Sequence, residues 1–152
     1  MKVIFLYEQN APLSPRGVAA LWLLETELPF EPKEGLALLN VTENDEDRTV
    51  ESCIWDHLEK CFRVFIQSGK NAPCSAFGQD AYVNWMPTGI ECVKSVYEAW
   101  LDAMDDDENT KTQFLKLLNK TKSKLNPNGK LRLKPEDFPF PVKVVDEQFQ
   151  LV

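Results

Sequence analysis

The sequence predicts a single α+β (mixed α/β) domain over residues 1–152, with a βαβ start, a helical middle of three amphipathic helices, and antiparallel strands at the C-terminal end. Three observations carry that expectation. Val3-Ile4-Phe5-Leu6-Tyr7 is an unbroken β-prone apolar run, as a strand covered on both faces requires. Over residues 45–67, 90–104 and 108–125 the apolar positions recur at helical spacing. Val142–Val145 and Phe149–Val152 flank Asp146-Glu147 as the two arms of a hairpin. A chain of 152 residues buries roughly 70% of its unfolded surface, so a core of this size needs no disulfide or metal to form.

Asn10-Ala11-Pro12 ends the first strand. Ser14-Pro15 is then an N-cap with proline at the first helical position, and Val18, Leu21, Trp22 and Leu28 keep helical spacing until Pro29 and Pro32 stop it. After Gly35, Leu36–Val41 reads as a second buried strand, completing the βαβ unit. A long helix is expected from about Asp45 to Gln67, because Val50, Ile54, Leu58, Cys61, Phe62 and Phe65 fall on one helical face, with Ser68-Gly69 as its end. Lys70 to Met86, with Phe77, Tyr82, Val83 and Trp85 around Gly78, fits either a strand or a packed loop.

Thr88 and Glu91 have capping-box spacing ahead of the stripe Ile90, Val93, Tyr97, Trp100, Leu101 and Met104. The acidic link Asp105-Asp106-Asp107 leads to a helix near Glu108 to Leu125, packed through Phe114, Leu118 and Leu125. Asn126-Pro127-Asn128-Gly129 is a turn, and Leu131-Arg132-Leu133 and a bend at Pro135, Pro139 and Pro141 precede the final hairpin.

Lys2 and the run to Tyr7 end at Glu8, too short for a secretory h-region of roughly 7–15 residues. No apolar run approaches the ~20 residues that span a bilayer, so no membrane association is expected. Cys53, Cys61, Cys74 and Cys92 lack the density of a disulfide scaffold and are read as reduced thiols of a cytoplasmic protein.

Cys53, His57 and Cys61 stand at i, i+4 and i+8, but on a helix the two sulfurs would be ~12 Å apart along the axis. That is too far to share one zinc, and no metal or other cofactor is expected. A thiol nucleophile would need His57 as base, and Cys74 in the loop Ala72-Pro73-Cys74-Ser75 is the cysteine best placed for it.

Charge is unevenly distributed. Residues 1–110 hold eight basic against twenty acidic residues, whereas 111–134 hold eight basic and no acidic ones. The expected function is therefore a non-catalytic binding protein, an inhibitor, adaptor or immunity-type factor, that meets a basic protein partner through an acidic surface. Asp45, Glu46, Asp47, Asp105, Asp106, Asp107 and Glu108 are the candidate acidic contacts, and Tyr82 and Trp85 the candidate aromatic anchors. Nucleic acid is the second partner class, through Lys120, Lys122 and Lys124, although the basic segment holds only Phe114 as a stacking platform.

Met1–Tyr7, Ser14-Pro15-Arg16 and Leu28-Pro29-Phe30-Glu31 resemble the first βαβ unit of glutathione transferases. Pro141-Val142-Lys143-Val144-Val145-Asp146 resembles the proline-led hairpin of thioredoxin-like domains. The resemblance implies a thioredoxin-like fold with a helical insertion as the alternative architecture. It also implies a thiol-dependent or thioredoxin/glutathione-transferase-like enzyme as the alternative function, with Tyr7 or Ser14 as the catalytic hydroxyl. The Glu-Ser glutathione motif and a CxxC after the first strand are absent.

Overall fold

The computed structural model describes residues 1–9, 20–43, 47–74, 85–87, 90–125 and 134–152. Six strands form one mixed sheet: β1 (Lys2–Gln9), β2 (Ala20–Glu27), β3 (Ala37–Leu38), β4 (Arg48–Asp56), β5 (Cys61–Ile66) and β6 (Met86–Pro87), in the spatial order β3-β4-β5-β1-β2-β6. Two helices follow, α1 (Ile90–Met104) and α2 (Asp107–Leu125), then a 3-10 turn at Pro135–Asp137 and a separate hairpin of β7 (Val142–Val145) and β8 (Gln148–Leu151). Among the described residues no helix is long and apolar enough to cross a membrane.

β1 is the central strand its composition calls for, with Val3, Ile4, Phe5, Leu6 and Tyr7 all buried. Its partners differ from expectation. β2 runs antiparallel to it, Phe5 opposite Leu24 and Tyr7 opposite Trp22, while β5 runs parallel, Phe5 opposite Val64. A further pair of backbone bonds between Met1 and Leu28 closes the β1–β2 end of the sheet.

The βαβ start is thus corrected. Residues 20–27, expected to be the body of the first helix, are a strand, because Trp22, Leu24 and Thr26 alternate onto the Val3/Phe5/Tyr7 face and β1 takes up their backbone groups. The thioredoxin-like alternative depended on the same βαβ unit and falls with it. The second strand shrinks to Ala37–Leu38, half-buried or exposed at the sheet edge rather than central.

The three-helix middle is corrected as well, since the described residues hold two helices. The span from Asp45 to Gln67, read as a helix, is instead the hairpin β4–β5, with Trp55 opposite Phe62 and Asp56 opposite Cys61. Thr49, Val50, Ile54, Phe62, Val64 and Ile66 are β-branched or aromatic and favour a pleated, half-buried surface. Asp56 makes the reversal: its Oδ1 accepts from the backbone N–H of Leu58 (3.1 Å) and Glu59 (3.0 Å), and its Oδ2 from Arg63 Nε (2.9 Å). Lys60 completes the turn with a left-handed φ of 54°.

Leu58, expected on a buried helix face, stands in that turn in solvent. Leu58→Ala is therefore expected to change the unfolding free energy by no more than about 0.5 kcal/mol in a denaturant titration. A loss of ~2 kcal/mol or more would return it to the core.

The remaining elements follow the sequence closely. α1 buries Val93, Val96, Tyr97 and Trp100, and α2 buries Phe114, Leu115, Leu117 and Leu118. Both helices pack against β2 and β6. β7 and β8 pair antiparallel around Asp146 and Glu147, whose positive φ values (51° and 65°) match the twist of a two-residue hairpin turn. Asn119 fixes this hairpin on α2, donating from Nδ2 to the Phe149 carbonyl (2.8 Å) and accepting the Phe149 N–H at Oδ1 (2.9 Å). Ser14-Pro15, residues 75–84, Thr88, the expected turn at 126–129 and Leu131-Arg132-Leu133 lie outside the described residues.

Candidate binding surface

The acidic corner between the helices has a local structural explanation. Asp105 takes the left-handed conformation (φ 50°) that ends α1, its N–H bonding to the Leu101 carbonyl at 2.8 Å. Asp106 opens α2, its Oδ1 accepting from the Asn109 N–H at 3.2 Å. Asp107 accepts the Tyr97 hydroxyl and pairs with Lys111 (2.8 Å), and Glu108 lies 3.6 Å from the same ammonium. Lys111 and Tyr97 hold the Asp107 carboxyl below its ordinary range. Its contribution to stability is therefore present above the unfolded carboxylate value of about 4 and is lost as pH falls through the lower folded value.

Of the other predicted residues, Asp47 is exposed beside the start of β4, and Asp45, Glu46 and Tyr82 lie outside the described residues. Trp85 is fully buried, its Nε1–H donating to the Val41 carbonyl (3.0 Å) and its ring meeting Tyr7 edge-on, so it belongs to the core and offers no exposed anchor. Lys120, Lys122 and Lys124 lie on the last turns of α2, whose side chains there are outside the described residues.

The cysteines are not arranged as a helical row. Cys53 is on β4 opposite Val64, Cys61 is on β5 opposite Asp56, and His57 is in the turn. Among the described residues no three His, Cys, Asp or Glu side chains converge in a way that could hold a metal ion. Cys74 is buried, and desolvation, with Glu43 adding to it, pushes its thiol far above the ordinary range. Burial likewise raises Cys53 and Cys61.

A thiol reagent at pH 8 is therefore expected to leave Cys74 unmodified until denaturant is added; rapid native-state labelling would contradict its burial. Cys53, Cys61, Cys74 and Tyr97 all hold their protons more tightly folded than unfolded. Stability should be unaffected by these groups below the unfolded thiol value of 9.0 and should fall as pH rises past it.

The feature that helical reasoning missed is the far end of the β4–β5 hairpin. Ile54, Trp55 and Leu58, near its turn, are 53, 48 and 72% exposed, and Phe65, opposite Ser52 toward the other end of β5, is 37% exposed. Ile54 shares a face with Phe65, while Trp55 shares the other with Cys53 and meets Phe62 edge-on at 5.1 Å. The Trp55 Nε1 lies 3.4 Å from His57 Nδ1. Exposed Glu31 and Glu34, with exposed Lys33 between them in sequence, stand near Cys53 and add to the rise in its thiol, and exposed Glu51 lies two residues before Cys53 on β4. The signal available in the sequence was the composition of 61–66, Cys-Phe-Arg-Val-Phe-Ile, which is that of a strand.

At the opposite end of the sheet, buried polar side chains bond to one another and to nearby carbonyls. Trp22 Nε1 donates to Gln9 Oε1 (3.2 Å), Gln9 Nε2 to the Lys70 carbonyl (3.2 Å), and Tyr7 Oη to the Asn71 carbonyl (2.6 Å). Arg48 donates to the Ser68 carbonyl (3.3 Å) and lies over the Tyr7 ring at 5.2 Å. This cluster ties residues 68–71 to the ends of β1 and β4. Comparison with known proteins yields no match, whether to a family model, a curated protein or a solved structure.

Proposed function

We propose that the protein is a non-catalytic binding protein that engages a protein partner through the acid-rimmed apolar end of the β4–β5 hairpin. The observation that carries the reading is the exposure of Ile54, Trp55, Leu58 and Phe65 on a hairpin whose turn Asp56 fixes through three hydrogen bonds. A rigid element presenting aromatic and aliphatic anchors loses little conformational freedom on association. Glu31, Glu34 and Glu51 supply the acidic surroundings and favour a basic partner. Asp105 to Glu108, engaged in ending one helix and starting the next, play a lesser part.

The test is affinity capture from the native host with the full chain, identification of what is retained, and measurement of its binding to variants. The reading expects a partner with a basic contact surface, about tenfold or more weaker binding for Trp55→Ala combined with Leu58→Ala, and slower association as salt rises. A partner whose affinity ignores both substitutions and the charge reversals Glu31→Lys and Glu34→Lys would overturn it.

A further inference from the structure

We infer that β4 is a receiving edge, to which an extended segment of a basic partner protein adds as a further strand along residues 51–56. This rests on the binding reading above and specifies the partner's chemistry and mode of attachment.

β3 covers only the start of β4, Leu38 opposite Arg48 and Ala37 opposite Thr49. Val50 is the last residue served on that side, its N–H donating to the Leu36 carbonyl (2.8 Å) and its carbonyl accepting from Gly35 N–H (2.9 Å). Beyond it, no strand lies outside β4 among the described residues.

The direction of the free backbone groups follows from β5. In an antiparallel ladder, residues alternate between facing the partner strand and facing away. Val50, opposite Ile66, faces away from β5, and β5 runs on without interruption to Val64 and Phe62. Their opposites, Cys53 and Trp55, therefore also face outward, the register shift between Val50 and Ser52 having absorbed one extra residue. Two N–H and two C=O groups line the edge, with Trp55 on one face and Ile54 on the other to grip alternate side chains of an added strand.

Sheet edges are ordinarily blocked by proline, lysine or a bulge. Here the bulge sits at the end nearest β3, and residues 51–56, Glu-Ser-Cys-Ile-Trp-Asp, contain neither proline nor lysine. Charge selects the occupant. Glu31, Glu34 and Glu51 are exposed along this edge and outnumber the exposed cations Lys33, between the first two, and Lys60, in the turn, while Arg63 is paired with Asp56. A second copy would bring its own Glu31, Glu34 and Glu51 to the same edge, which like-charge repulsion opposes; lysine- and arginine-bearing segments are favoured.

The probe is an acetylated, amidated Lys-Val-Lys-Val-Lys-Val-Lys peptide, titrated into the full chain while amide hydrogen exchange is followed residue by residue. Exchange at Cys53 and Trp55 is expected to slow by about tenfold or more, with Ser52 and Ile54, which face β5, unchanged. Cys53→Pro should weaken binding by about tenfold or more while circular dichroism stays native, because an outward N–H on an edge strand is where proline is tolerated. The same peptide N-methylated along one edge should fail against the wild-type chain, a comparison that stands even if the proline variant does not fold.

Binding that leaves both amides unprotected, indifference to backbone methylation, or no binding at about millimolar peptide would overturn the inference. A concentration-dependent dimer protecting the same amides without peptide would place a second copy there and overturn the basic partner. If capture of a host partner depends on Trp55 and Leu58 while the two amides stay unprotected, the edge inference fails and the binding reading survives.

Discussion

Gly69→Ala is expected to destabilise the fold by about 1–3 kcal/mol, the cost of forcing an extra carbon into a packed site. A Cβ at position 69 would stand 2.5 Å from Tyr7 Oη and 2.8 Å from both Arg48 Nη atoms. Neither neighbour can retreat freely. Tyr7 Oη is held by the Asn71 carbonyl, and the Arg48 guanidinium lies between that ring and the Ser68 carbonyl. Tyr7→Phe removes the nearest clashing atom, so the double variant should lose less than the two single variants together. Strict additivity in denaturant titrations would show that the phenol is not what excludes the side chain. Gly35 supplies the contrast: nothing lies within 4 Å of a Cβ there, but its φ of +84° makes Gly35→Ala costly through the backbone instead.

Phe114→Ala is expected to cost about 3–5 kcal/mol, a large share of the roughly 5–15 kcal/mol that holds a domain folded. Phe114 is fully buried and receives Trp100 (5.7 Å between centroids) and Tyr97 (6.0 Å) edge-on from α1. Tyr97 in turn meets Phe140 at 4.8 Å, and Phe138 links Phe140 to Phe149 of β8. The cavity would therefore loosen both the α1–α2 contact and the seat of the C-terminal hairpin, and near-ultraviolet circular dichroism should lose aromatic signal as stability drops. A change under about 1 kcal/mol would mean that this aromatic row does not join the helices. Phe65→Ala, on a partly exposed side chain of β5, should cost far less.

Which elements were legible in the sequence follows from how local their causes are. α1 and α2 are long, keep a helical stripe, and carry acidic residues where one helix stops and the next begins. The β7–β8 hairpin has two apolar arms around two polar residues. β2 and β4–β5 were misread because short apolar runs can satisfy both periods, and the choice was made by pairing with β1, which is remote in sequence. The reversal at 57–60 was hidden for a second reason: Asp56 shapes it with its side chain, with no glycine or proline to mark it.

The misreading of β4–β5 concealed the candidate surface too. On a helix, Leu58 and Ile54 face a core; on a hairpin, one stands in the turn and the other is exposed on the outermost part of a sheet face. The acidic residues at 105–108, by contrast, were already readable as helix-end residues, and their positions agree with that reading.

The parallel pairing of β1 with β5 also dictates an order of assembly. Val3 to Leu6 must wait for Phe62 to Phe65, and no tight turn can bring parallel neighbours together. During synthesis from the N-terminus, β1 can close on β2 as soon as residue 27 has emerged, leaving its other side open until the second hairpin is made. Over that interval β1, whose residues Val3 to Tyr7 are all buried in the folded chain, presents unpaired N–H and C=O groups to any neighbour. Nascent or refolding chains are consequently most prone to misassociate through Val3–Tyr7, and slow refolding at low protein concentration should recover the most native material.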